Sequence, residues 1–382
     1  MGNSGNTNLH RAKDNKQDEF YTTYEAIQSE LNNYEKHFEG KTVLCNADDP
    51  FESNFCKFFL RNFNYLKLKR LICTSYNSSP VAGTQLSFFD LIEGTPNEEK
   101  AHGYVLDVSK VPMANNRGVS DADIDKLLRS KKMVKELKGD GDFRSDECVE
   151  YLKQADIVVT NPPFSLFREY VALLIEYDKK FLIIGNQNAI TYKEIFPLLQ
   201  DNKMWLGTKS GDMSFRVPDY YEPRETRYWQ DETGQKWRSL GNACWYTNLD
   251  HKKRHEKLVL YKTYTPEEYP HYDNYDAVEV PKITDIPIDY GGNMGVPITF
   301  LDKYNPEQFE IVGFCDADSP LSLGKDYSKY IGYKQDRTLY GRTGSTFGKC
   351  PVIVMDDKKH PYYEKDGIRV QATYHRVFIR KK

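Results

Sequence analysis

The sequence predicts an α/β protein: a doubly wound, mostly parallel sheet over residues 19–200, then a mixed, loop-rich region over residues 201–382. Three observations carry this expectation. Short apolar runs alternate with amphipathic helical patterns through the first half of the chain, which implies parallel strands joined by helical crossovers. A chain of 382 residues exceeds what one hydrophobic core usually fills, so a second structural region is expected. The texture also changes after Asp201, where Gly, Pro and Tyr separate brief strand-like runs.

Residues 1–18 are polar and read as a flexible tail. Residues 24–38 read as one helix, with Ile27, Leu31 and Tyr34 at helical spacing and Gly40 as its stop. Thr42–Cys45 is a short apolar run consistent with a buried strand. A helix over residues 53–63 follows, with Ser53 as N-cap and Phe55, Phe58, Phe59 and Phe63 along one side. Leu68–Thr74 is a second buried strand. A long polar stretch to about Gly141 is broken only by Tyr104–Asp107, and Asp121, Asp123 and Asp125 read as a solvated helix start. Alternation resumes with a helix over 146–154, a strand over 157–160, a helix over 167–176 and a strand over 181–184. Beyond 201, Met213–Val217 and Leu258–Tyr261 look strand-like.

Composition sets limits on partners. With 39% hydrophobic residues the chain has ample core, and a mean hydropathy of −0.71 without a long apolar run argues against a membrane span. Seven scattered cysteines, none in a C-x-x-C pair, read as reduced thiols of an intracellular protein. The net charge of −3 hides an asymmetry. Residues 324–382 hold 14 Lys+Arg against 6 Asp+Glu, a balance of +8, so the rest of the chain carries −11. Clustered basic charge of that kind suits a phosphate backbone.

In a sheet of this type ligands bind outside the carboxyl ends of the strands, and there the sequence places Asn161-Pro162-Pro163-Phe164. This tetrapeptide suits methylation of an exocyclic amine. The lone pair of such an amine is delocalised into its ring, and acceptors at Asn161 and the Pro162 carbonyl favour the tetrahedral nitrogen that develops during transfer. Two prolines stiffen the loop. Phe164 can stack on a base taken out of a duplex. Asp48 and Asp49, past the first strand, suit the α-amino group of a sulfonium methyl donor. Asp142 and Phe143 offer a carboxylate and a ring for its adenine.

These segments resemble the EcoRI-type adenine-specific DNA methyltransferases. The resemblance rests on Asp18–Thr22, Cys45–Pro50, Asn161–Ser165, Gly241–Leu249 and Val296–Leu301. It implies S-adenosylmethionine-dependent N6-methylation of adenine in duplex DNA, by a Rossmann-like catalytic domain and a C-terminal target-recognition region. The resemblance assigns catalysis to Asn161, Pro162, Pro163 and Phe164. It assigns cofactor binding to Tyr21, Thr22, Cys45, Asn46, Asp48, Asp49, Thr74, Asp142, Phe143 and Asn161, and no metal. The second strand ends in Thr74-Ser75-Tyr76 where most such enzymes place an acid for the ribose hydroxyls. For DNA, residues 202–262 mix 12 Lys+Arg and 8 Asp+Glu with four tryptophans. Trp205, Lys209, Arg216, Arg227, Trp245, Lys252, Arg254, Arg342 and Lys349 are the expected contacts. The expected setting is a monomer in a prokaryotic or phage-infected cytoplasm, with a cognate restriction endonuclease as possible companion. The rival readings are methylation of cytosine N4, RNA or protein glutamine, and a catalytically silent, anti-restriction DNA-binding protein.

Overall fold

A computed structural model describes residues 20–47, 53–76, 103–112, 119–129, 133–219, 221–316, 318–334, 338–343, 347–355 and 362–382. The N-terminal tail, Asp48 and Asp49 lie outside the described residues. Two compact units form, one running through Ile195 and including Met204–His251, the other comprising Phe196–Lys203 and Lys252–Lys382.

The first unit runs β1 (Tyr21–Thr22), α1 (Tyr24–Leu31), α2 (Glu35–Phe38), β2 (Thr42–Asn46), α3 (Asn54–Arg61), β3 (Arg70–Thr74), β4 (Tyr104–Val108), α4 (Asp121–Leu128), β5 (Val134–Glu136), α5 (Asp146–Gln154), β6 (Ile157–Thr160), α6 (Phe167–Glu176), β7 (Lys180–Asn186), β8 (Trp205–Arg216), β9 (Tyr228–Gln230) and β10 (Lys236–Thr247). All the strands join one sheet in the order β1-β8-β10-β7-β6-β2-β3-β4-β5, with β9 beside β10. Parallel pairing in this sheet runs through β7-β6-β2-β3. The expectation of a mostly parallel sheet therefore holds for the centre alone: the pairs β3-β4 and β4-β5 on one side, and β7-β10, β10-β8 and β8-β1 on the other, are antiparallel.

The central strands form because they are apolar on both faces. Val43 and Cys45, Leu71 and Cys73, Ile157 and Val159 join a core cluster with Ile27, Phe55, Phe58, Phe59 and Ile124 of α1, α3 and α4. Leu44, Ile72 and Val158 alternate with them and are equally buried. Helix starts follow their caps: Ser53 Oγ accepts from the N–H groups of Phe55 and Cys56, and Ser120 closes a reciprocal capping box with Asp123.

Three expectations are corrected. The helix read over 24–38 is two helices, because Asn33 Nδ2 donates to the carbonyls of Ser29 and Glu30 at 3.1 and 2.9 Å and competes with continued helical bonding. Leu258–Tyr261 is not a strand; Gln308 satisfies both backbone groups of Leu258 at 2.8 Å, in place of a neighbouring strand. The boundary expected near residue 200 also moves: residues 204–251 belong to the first unit, and they supply three strands of its sheet.

Glu30 ties the late strands to the early helix. Wholly buried, its carboxylate accepts from Thr208 N–H and Oγ1–H at 2.7 Å, from Lys209 N–H at 2.8 Å and from the Tyr34 hydroxyl at 2.9 Å. Gly207 leaves room for it: a Cβ there would lie 2.5 Å from Glu30 Oε1. Burial raises the Glu30 carboxyl above its ordinary value, against the pull of the Thr208, Tyr34 and Lys209 hydrogen bonds. The folded chain thus binds this proton more tightly than the unfolded chain does. The pH-dependent part of Glu30's contribution is complete below the ordinary value of 4.5 and is lost as pH rises through the raised one. Glu30→Ala is expected to cost about 2–4 kcal/mol by orphaning four donors, with the deficit larger near pH 4 than near pH 7 in denaturant titrations.

Among the described residues the second unit has α7 (Phe196–Gln200) and nine strands: β11 (Val278–Glu279), β12 (Met294–Pro297), β13 (Phe309–Phe314), β14 (Ile331–Tyr333), β15 (Leu339–Arg342), β16 (Val352–Val354), β17 (Tyr362–Lys365), β18 (Ile368–Ala372) and β19 (Arg376–Lys381). They form a four-stranded sheet, β11-β12-β19-β13, and a five-stranded one, β15-β14-β17-β18-β16.

Candidate active site

The strand order reverses beside β2: β3 lies on one side of it, and the later β6 and β7 lie on the other. Such a reversal opens a crevice at the carboxyl ends of the strands. Asn46 ends β2, Thr74 ends β3, and Asn161 follows Thr160 at the end of β6.

The Asn161–Phe164 loop is pinned from a distant part of the chain. Asn161 Nδ2 donates to the Phe20 carbonyl at 2.6 Å. That bond fixes the orientation of the amide, since the reverse orientation would set two oxygens against each other. Asn161 Oδ1 is left buried, with no hydrogen-bond partner among the described residues. The Phe20 ring stacks on Phe164 at 5.6 Å and 27°, and packs edge-on against Phe215 of β8. Pro162 is buried, and the Pro163 carbonyl accepts from Leu166 N–H at 3.0 Å to start the 3-10 turn Phe164–Leu166.

Three further buried polar atoms near these strand ends have no partner among the described residues: Thr22 Oγ1, Asn46 Nδ2 and Thr74 Oγ1. The other end of the Asn46 amide is occupied, because Oδ1 accepts from the Tyr170 hydroxyl of α6. Thr160 Oγ1 donates to the Asn46 carbonyl at 2.8 Å and ties β6 to β2. Buried polar groups are paired as a rule, so such a cluster of exceptions marks a place where a ligand can complete them.

The Gly141–Phe143 turn lies against the end of β3. Gly141, at φ +82°, leaves no space for a side chain, as a Cβ would sit 2.0 Å from the Ser75 carbonyl oxygen. Phe143 is buried edge-on to Tyr170 at 5.0 Å. The Asp142 carboxylate receives Nε and Nη2 of Arg144 at 2.9 and 2.7 Å, so any ligand amine would share oxygens already held by a guanidinium.

Tyr21 pairs with Arg216 across β1 and β8, and the Arg216 guanidinium lies 4.8 Å over the Tyr21 ring. Both line a cavity of about 280 Å³ with Asn54, Lys57 and Trp237. Asn54 Nδ2 donates to the Thr22 carbonyl at 2.7 Å.

The remaining expected residues divide by exposure. Cys45 is wholly buried in the core. Trp245 requires correction as a DNA contact: it is wholly buried, edge-on to Phe55, and offers no surface. Trp205 is half-buried, with Nε1 bonded to the Leu249 carbonyl at 3.1 Å. Arg227 reaches Asp212 at 3.5 Å, and its guanidinium fills the space above Gly241. Arg254 donates to Asn202 at 2.9 Å. Lys209, Lys252, Arg342 and Lys349 are exposed. The accessible tryptophan surface belongs to the β9–β10 pair, where Trp229 and Trp237 stack at 6.3 Å and Trp229 is 40% exposed. Phe20, Asn54, Arg144 and Tyr170 were not foreseen as site residues. Phe20 alone carried a signal, lying inside the Asp18–Thr22 segment.

At the end of a parallel strand, then, stands a buried amide oxygen with no partner among the described residues, beside unpaired polar atoms of Thr22, Asn46 and Thr74. The model of the family described as adenine-specific methyltransferase EcoRI matches residues 8–382, and this chain belongs to that family. The Type II methyltransferase M.EcoRI of Escherichia coli is 48% identical over 317 residues, 82% of this chain and 90% of that protein. A Type II methyltransferase of Mycoplasma genitalium is 39% identical over 324 residues, and M.MpnI of Mycoplasma pneumoniae 36% over 321, each spanning 82% of this chain and 88% of the relative. No solved structure matches. Among the described residues, no helix is long and apolar enough to cross a membrane.

Proposed function

We propose that this chain methylates the N6 amine of adenine in duplex DNA, with S-adenosylmethionine as donor, at the crevice between Asn46, Thr74 and Asn161. The observation that carries the reading is the Asn161 amide, with Nδ2 committed to the Phe20 carbonyl and Oδ1 buried and free. Oδ1 accepts an N–H of the target amine and holds that nitrogen as it becomes tetrahedral and positive. Because the amide is already oriented, the acceptor needs no reorganisation at the moment of transfer. Phe164, backed by Phe20, presents a ring for an adenine taken out of the stack. Adenine at its N6 is favoured over cytosine N4 by the family to which the chain belongs.

The bound donor supplies an electrophilic methyl group. Its fit to the site is supported by the unpaired Asn46 Nδ2, Thr74 Oγ1 and Thr22 Oγ1. Asn46 and Thr74 would hold its polar edges, and Phe143 beside Tyr170 its ring. Asp48 and Asp49 follow β2 in the sequence and suit its amine. Tyr170→Phe removes the hydroxyl that orients the Asn46 amide. It is expected to weaken donor binding by roughly five- to tenfold, with kcat changed less than about twofold, in titration calorimetry paired with steady-state rates.

DNA is drawn by exposed cations, among them Lys209, Lys252, Arg342 and Lys349. If each of these four reaches a phosphate, log affinity against log salt is expected to slope at about −3.6, and a flat response would count against DNA as the partner. The Type II names of the relatives favour a companion endonuclease of matching sequence. Mapping modified bases in DNA from a host expressing the chain tests the function. N6-methyladenine confined to one short sequence supports it, and unmodified adenine throughout opposes it.

A further inference from the structure

In the second unit, Cys315 follows β13, Cys350 precedes β16 and His375 precedes β19, and their side chains converge. Cys315 Sγ lies 3.5 Å and Cys350 Sγ 3.7 Å from the same ring nitrogen, His375 Nδ1. The two sulfurs thus flank one imidazole nitrogen. Their backbones are clamped together. The Tyr275 hydroxyl is shared between the Asp316 carbonyl at 3.0 Å and the Lys349 carbonyl at 2.8 Å, one residue from each cysteine. Asn274 Nδ2 donates to the Cys350 carbonyl at 3.0 Å, and Cys315 N–H to the Arg376 carbonyl at 3.1 Å. Cys350 is half-buried, while the other six cysteines are buried.

We propose that Cys315 and Cys350 form a modification site: a dithiol that a peroxide oxidises to an intramolecular disulfide, with Cys350 as the attacking sulfur and Cys315 as the resolving thiol. Accessibility gives Cys350 the first step, and the buried Cys315 waits behind it. The imidazole touches both sulfurs and can carry the proton. The Cys350 thiolate attacks one peroxide oxygen; the S–O bond forms, the O–O bond breaks, and the departing hydroxide takes the proton of the His375 imidazolium and leaves as water. Cys315 then gives its proton to the hydroxyl of the Cys350 sulfenic acid and attacks that sulfur. The S–S bond forms, the S–O bond breaks and a second water leaves. The two sulfurs lose two electrons and the peroxide gains them.

The charges around the pair favour this order. The hydrogen bond from Cys315 holds the Cys350 thiol down to about 5, against burial and with help from His375 and Arg376. Cys315 is pushed up by Cys350 and by burial. Tyr275, whose hydroxyl bridges the two segments, is raised by its own burial and stays neutral. A thiol lowered in this way holds more thiolate near pH 6 than an ordinary cysteine, which is well under about 1% ionised there. Allowing for the lower nucleophilicity of a less basic sulfur, oxidation on the order of tenfold faster than at the other cysteines is expected. The sulfurs must still approach to bonding distance, about 2.05 Å. The shift falls on the segment before β16, where Gly348 already sits at φ +93°.

The test uses the full chain, treated near pH 6 with a small molar excess of hydrogen peroxide, alkylated, digested without reductant and mapped by peptide mass. A Cys315–Cys350 linked peptide, with the other five cysteines alkylated, is expected. In Cys315→Ser the reaction should stop at a Cys350 sulfenic acid that dimedone captures. Recovery of Cys315 and Cys350 as alkylated thiols, oxidised no faster than the rest, would overturn the proposal on the wild-type chain alone.

Discussion

Asn161→Ala is expected to lower single-turnover methyl transfer by on the order of 10²–10³-fold or more while changing S-adenosylmethionine affinity less than about threefold. The substitution removes an acceptor whose orientation is set in advance by the 2.6 Å bond from Nδ2 to the Phe20 carbonyl. No other side chain in the Asn161–Phe164 loop can replace it, because Pro162, Pro163 and Phe164 bring no side-chain acceptor, which leaves the Pro162 carbonyl alone. Asn161→Asp refines the test. It keeps an acceptor oxygen but sets a second one against the Phe20 carbonyl, so the loop loses its anchor, and a rate between those of Ala and wild type is expected. Loss of donor binding in Asn161→Ala would instead give Asn161 a role in holding the cofactor.

The second large effect concerns the fold of the C-terminal unit. Arg376 of β19 and Glu279 of β11 are both under 9% exposed and form a two-point pair, Nη2 to Oε1 at 2.6 Å and Nε to Oε2 at 3.2 Å. The Tyr272 hydroxyl also donates to the Glu279 carboxylate. It reaches across Gly295 of β12, where a Cβ would lie 2.3 Å from the hydroxyl oxygen. Arg376→Ala leaves a buried carboxylate opposite no cation, and a loss of about 3–5 kcal/mol is expected. Since two units make a single global transition a poor assumption, amide exchange in β12, β13 and β19 is the appropriate measurement. Glu279→Leu with Arg376→Met should recover most of the loss, because Tyr272 keeps a second acceptor in the Gly295 carbonyl at 3.3 Å. Protection unchanged in Arg376→Ala would show that the pair is dispensable.

What the sequence disclosed and what it withheld follow from the range of the interactions. The central strands and the helices α3, α5 and α6 were legible because their signals are local: apolar runs, Ser53 as a cap, and helical spacing. The loop Asn161–Phe164 was legible for the same reason, being four adjacent residues at a strand end. The carboxylate of Glu30 reaches residues 178 and 179 positions later in the chain, and no local pattern shows that β8 and β10 extend the first sheet rather than begin a second domain. Phe20 meets Asn161 across 141 positions, and Tyr170 meets Asn46 across 124. The Asn161–Phe164 segment is therefore visible in the sequence, whereas its contacts with Phe20 and the contact of Asn46 with Tyr170 are not. Trp245 was misjudged because an aromatic residue in a basic, polar stretch has the same composition whether it faces solvent or the core. Strand pairing with Ile184 settles which.

The most direct measurement is incubation of the purified chain with duplex DNA of diverse sequence and methyl-labelled S-adenosylmethionine, followed by enzymatic digestion and separation of the nucleosides. Label in N6-methyladenosine of the deoxy series, present with wild type and lost with Asn161→Ala, is the expected result. Label in N4-methylcytosine, or equal transfer by the Asn161→Ala chain, would contradict the assignment of this site.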